Sequence, residues 1–106
     1  MKEDRYFKKL AKFRDKADRY HAEAEVIAKN KSPKEAEEPE RKAQDFEAEI
    51  ITVCDKLSTL SDELKVSEQQ MRLSGDTGGA DKVHLRIVSI KQKINEILTN
   101  LAAPPR

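Results

Sequence analysis

The sequence predicts an all-α fold, an antiparallel up-down-up three-helix bundle whose core is spaced as in a coiled coil. Three observations lead there. Apolar residues recur in alternating steps of three and four along three long segments. Two breaker-rich stretches, one with Ser-Pro and one with three glycines, separate those segments. The 106 residues are 39% charged and 37% apolar, with five aromatics, no Trp and a mean hydropathy of −0.82. Narrow stripes on charged helices suit that balance better than a broad core. The same composition would fit a disordered chain were the apolar residues not periodic. The length suits one helical domain over residues 1–106.

The first helix is expected over residues 2–30. Its stripe is Tyr6, Leu10, Phe13, Ala17, Tyr20, Ala24 and Ile27, and it ends in Lys-Asn-Lys-Ser-Pro, with cations in the last turn and a breaker beyond. Ser32-Pro33-Lys34-Glu35 has the form of a capping box with Pro at the first helical position. Pro39 follows too soon for a helix interior, where it would lack its backbone donor. Residues 31–38 are therefore read as an acidic linker, and the second helix as 39–73. Its stripe is Ala43, Phe46, Ile50, Val53, Leu57, Leu60, Leu64, Ser67 and Met71.

Residues 74–81 read as a glycine loop, in which Gly75 closes the second helix and Asp81 caps the third. The third helix, 82–102, carries Val83, Ile87, Ile90, Ile94, Ile97 and Leu101, and residues 103–106 form a tail.

Charge is unevenly spread although the net is +1. Residues 1–34 carry +5, residues 35–68 carry −7 and residues 69–106 carry +3, an alternation suited to complementary neighbouring helices. Setting Ile27 against Ile50 places Lys16 beside Glu63 and Glu23 beside Lys56, which favours that register by about 1 kcal/mol. The alternative sets Ile27 against Ala43 and Phe46 against Ala24. In the favoured register all three helices share residues 50–73 of the second, where Ile51, Cys54, Ser58 and Ser61 offer a flank for close approach. Ile90 then falls near Leu64. Ala43 and Phe46 are left on an overhang, where a second copy would meet Phe46 to Phe46 in a homodimer.

Candidate chemistry is thin. Asp18/His21 and Asp81/His84 are Asp-x-x-His pairs, a spacing known from di-iron bundles, but both acids fall at outward positions and the facing stripe glutamates are missing. Ser74–Asp81 lacks the Walker spacing, and its aspartates do not make a calcium loop. Cys54 is the single cysteine, read as a packing residue with no His placed to activate it; one cysteine favours a reducing compartment. No cofactor or metal is expected. The N-terminus has charge where a signal peptide needs an apolar run, and no stretch suits a membrane span. A cytoplasmic location is the expectation.

Two surfaces remain. Arg5, Lys9, Lys12, Lys16 and Arg19 form a cationic strip able to track phosphates, interrupted by Asp4, Asp15 and Asp18. Val66, Leu73, Leu85 and Val88 fall at outward positions near the glycine loop and, with Phe46, suggest a protein contact surface. The expected function is a non-enzymatic helical interaction module (adaptor, assembly factor or complex subunit) with a protein partner. A nucleic-acid-binding protein using the cationic strip is the alternative. Length and helix plan resemble a spectrin-type repeat, without the tryptophan of that family's first helix. Glu63-Leu64-Lys65-Val66, the glycine loop and the returning helix resemble the coiled-coil fingers of Rho-effector kinases. Neither resemblance carries a function onto particular residues.

Overall fold

A computed structural model describes residues 1–102, with the side chain of residue 102 left aside; the tail expected at 103–106 lies outside the described residues. The described residues form three helices and no strand: α1 (Lys2–Asn30), α2 (Glu37–Leu73) and α3 (Thr77–Ala102). The all-α, three-helix class is as the periodicity predicts. The chain divides into two compact units, Met1–Val53 and Cys54–Arg106. Each is an antiparallel helix hairpin, and α2 runs through both.

In the first hairpin, α1 buries Leu10, Ala17 and Ala24, while α2 buries Ala43, Ile50 and Val53. The connection is short because the chain is still turning at residues 33–36 when α2 begins. Ser32 Oγ accepts the Glu35 N–H at 3.3 Å, the first half of the expected capping box. The Glu37 N–H then donates to the Lys34 carbonyl at 3.2 Å, and that of Glu40 to Ala36 at 3.1 Å. Pro39 sits in the first turn of α2, where a missing N–H leaves no helical bond unmade.

The expected α1–α2 register is overturned. Phe46 is covered by α1, its ring 6.0 Å from Phe13 and 5.8 Å from Tyr20, the latter stacked at 8°. Lys16 lies over the same ring at 5.3 Å rather than beside Glu63. Phe46 is thus level with the Phe13–Tyr20 stretch, two heptads from the overhang and one from the Ala24 alternative. Ala43 is fully buried. A heptad stripe fits equally well after any seven-residue slip, so weak charge pairs could not choose among registers. Aromatic pairs, at about 0.5–1.5 kcal/mol each beyond their burial, outweigh those charge pairs. The short turn also favours a register with no overhang. With Phe46 covered, the basis for a Phe46-to-Phe46 dimer is gone. Among the contacts that place α1 on α2 are those to Glu40, Lys42, Phe46 and Glu47.

In the second hairpin, α2 buries Cys54, Leu57, Leu60, Ser61 and Leu64, and α3 buries Ala80, Val83, Ile87 and Ile90. On the expected small-residue flank, Ile51 is exposed while Cys54 and Ser61 are buried. The turn is tight. Gly75 has φ +88°, as a residue closing a helix requires. The Asp76 N–H reaches the Met71 carbonyl at 2.8 Å and the Gly75 N–H reaches Arg72 at 3.2 Å, the paired bonds of a Schellman motif. The helix cap is corrected. Asp76, not Asp81, caps α3, its Oδ1 accepting the Gly79 N–H at 2.9 Å. The loop shrinks from 74–81 to 74–76, with Gly78 and Gly79 inside the first turn of α3. A Cβ on Gly79 would lie only 2.9 Å from the Asp76 carboxyl carbon, so the cap and that glycine belong together.

Candidate functional site

Both histidines, read from sequence as solvated, reach glutamates on α2. Nε2 of His21 lies 2.8 Å from Glu47 Oε1, and its Nδ1 lies 3.2 Å from Glu40 Oε2. Those two glutamates are one heptad apart, so they stand on the same side of α2 with the imidazole between them. Burial lowers the His21 pKa, but hydrogen bonds to Glu47 and Glu40, and their charges, outweigh it. The net result is a value raised above 6.5. The sequence signal was present in Glu40 and Glu47 but needed the correct register to be read.

In the second hairpin, Nδ1 of His84 lies 3.4 Å from the Glu68 carboxylate. Glu68 also accepts from Arg72 Nη2 at 3.0 Å and from Nε at 3.2 Å, and Arg72 Nη2 reaches Asp81 at 3.3 Å. The Arg72 hydrogen bond, opposed by burial and helped by His84, holds the Glu68 carboxyl below its ordinary value. The acids of the two Asp-x-x-His pairs lie beside arginines: Asp18 pairs with Arg14 at 3.4 Å and Asp81 with Arg72 at 3.3 Å. Among the described residues no group of three His, Cys, Asp or Glu is arranged to hold a metal ion. Cys54 is buried, and burial followed by the Asp55 charge raises its pKa, away from thiolate chemistry.

The cationic strip is only partly open. Arg19 is 3.2 Å from Asp15, and Lys16 is laid on the Phe46 ring. Arg5, Lys9 and Lys12 are exposed.

The outward aliphatics divide into two faces. At 100° per residue, Val66 and Leu73 point from α2 away from its buried Leu57–Leu64 stripe. Leu85 points from α3 away from its buried Val83–Ile90 stripe, with Val88 at its shoulder. The single patch read from the sequence is therefore corrected to two surfaces on opposite sides of the hairpin. The α2 face has more to it than the sequence reading found. Thr59, Val66 and Leu73 are spaced by sevens and all exposed. The Thr59 hydroxyl donates back to the Asp55 carbonyl at 3.2 Å, which satisfies its one donor within the helix. Thr52, a further heptad back, does the same with Ala48 at 3.1 Å.

No helix among the described residues is long and apolar enough to cross a membrane. Comparison with known proteins finds no matching family model, no matching curated protein and no matching solved structure.

Proposed function

We propose that this chain is a non-enzymatic helical interaction module, an adaptor, assembly factor or subunit of a larger complex, that engages a partner helix along the outer face of α2. The supporting observation is the second heptad stripe, Thr59, Val66 and Leu73, exposed while the inward stripe of the same helix is buried. Leu73 is 88% exposed and Val66 54%. Large aliphatics in water at helical spacing are what a partner helix covers in a coiled-coil seam. Asp62 and Glu63 flank the stripe and favour a basic helix as the partner.

The test compares affinity capture by the full chain with capture by Val66→Glu and Leu73→Glu variants of unchanged helicity. A partner retained by the wild type and lost from both variants supports the reading. Partners held equally by all three, or specific turnover by the purified chain that one polar substitution abolishes, would overturn it.

A second reading, nucleic-acid binding through α1, is supported by the exposure of Arg5, Lys9 and Lys12. Each phosphate contact should then add about 0.9 to the slope of log affinity against log salt on duplex DNA. Binding that survives Lys9→Glu and Lys12→Glu together, or that is absent at low salt, removes that reading.

A further inference from the structure

A neutral imidazole has one N–H and can donate to one acceptor, whereas an imidazolium donates from both nitrogens. His21 has a carboxylate oxygen at each nitrogen, at 2.8 and 3.2 Å, on a helix other than its own. The geometry is complete only for the charged form. When the proton leaves, one ring lone pair faces a carboxylate, and two glutamates are left close together with no cation between them.

We propose that the His21–Glu40–Glu47 clasp is a proton-dependent latch, holding α1 on α2 in the first hairpin while His21 is charged and loosening when it becomes neutral. The surrounding charges leave that role to His21. From α2 it faces Glu40 and Glu47, the two groups whose charges act on it. Of the two α2 cations beside Glu40, Lys42 is laid over the Tyr20 ring at 5.5 Å and Arg41 is exposed. On α1 the charged groups within a turn are Asp18, paired with Arg14, Arg19, paired with Asp15, and the acids Glu23 and Glu25. None of these is placed as a substitute cation between Glu40 and Glu47.

The latch lies directly beside the ring cluster. Tyr20 precedes His21 and Phe46 precedes Glu47, so loosening the latch frees the neighbours of the stacked Tyr20–Phe46 pair. Neutralisation would therefore uncover apolar rings as well as a charge pair. The direction follows from linkage. The folded-state value lies above the ordinary 6.5, so the latch's contribution is complete below pH 6.5 and lost as pH rises through the folded value.

Two measurements on the full chain test this. Proton NMR of the wild type gives the His21 titration directly, assigned by its loss in His21→Gln. A midpoint above 6.5 that falls in Glu40→Gln and falls again in Glu40→Gln/Glu47→Gln is expected. A His21 midpoint at or below 6.5 in the wild type overturns the proposal without any variant having to fold. Urea denaturation between about pH 6 and about pH 8 should then show a falling midpoint in the wild type and in His84→Gln. That fall should be absent in His21→Gln. The same pH dependence in His21→Gln as in the wild type would equally reject the latch.

Discussion

In Met1–Val53 the contacts that align the two helices are made between side chains along their length. Phe13, Tyr20 and Phe46 meet away from the turn, and His21 beside them reaches from Glu47 back to Glu40 in the first turn of α2. In Cys54–Arg106 the aligning features sit at the turn itself: Gly75 with positive φ, the Schellman bonds to Met71 and Arg72, the Asp76 cap, and the Arg72–Asp81 pair just beyond. One hairpin is indexed by side chains and the other by its backbone. Register errors of a whole heptad are therefore resisted by different residues in each, and the substitutions that matter should differ accordingly.

The largest effect is expected at Phe46. Phe46→Ala should cost about 2–3 kcal/mol in urea denaturation, below the usual 3–5 for a buried ring because Phe46 is half-buried. Hydrogen exchange should place the loss of protection in α1 and the first part of α2. Phe46→Glu should unfold the first hairpin instead of dissolving a dimer. Leu85→Ala is the matched control, and should stay within about 0.5 kcal/mol of the wild type. Equal effects at the two sites would abolish the contrast.

Next in size is the turn. Gly75→Ala places a Cβ at φ +88° and should cost about 1–2 kcal/mol, measured by the same denaturation. Any comparable Gly-dependent cost in the first connection, where the described residues have no glycine, would need another cause.

A smaller change, with the opposite sign, is expected from Ser61→Ala. Ser61 is 4% exposed and its hydroxyl has no hydrogen-bond partner. Removing it should raise stability by about 0.5–1 kcal/mol, read as an increased denaturation midpoint. The smallest effect is electrostatic. Glu68 has a folded-state value below 4.5, so its contribution is present above pH 4.5 and is lost as pH falls through the folded value. The second hairpin should lose a little protection on the acid side and the first on the alkaline side. Glu68→Gln should remove the acid-side loss alone.

Periodicity made the three helices legible, and Gly75 made the second turn legible, because left-handed closure leaves a recognisable residue. The Gly78-Gly79 pair pulled the loop reading too far. It hid the fact that Gly79 lies inside the helix that Asp76 caps. The first register was not legible from heptads, since Ile27, Ala24 and Ala17 are nearly interchangeable against a partner stripe. Matching the few rings would have chosen it: Phe13 and Tyr20 are one heptad apart, and Phe46 fits between them. The His21 contacts on α2 were missed for the same reason, as partners on another helix are invisible until the register is right.

The ring cluster also makes the molecule optically lopsided. Tyr6, Phe7, Phe13, Tyr20 and Phe46 are all the aromatics in the chain, and every one lies in the first hairpin. Tyrosine emission and near-ultraviolet dichroism therefore report on that hairpin alone, while the amide bands report on all three helices. Melting curves recorded at the two wavelengths amount to a built-in difference experiment. Coincident curves mean the whole chain gives way together, and a displaced near-ultraviolet curve isolates the hairpin that carries the rings.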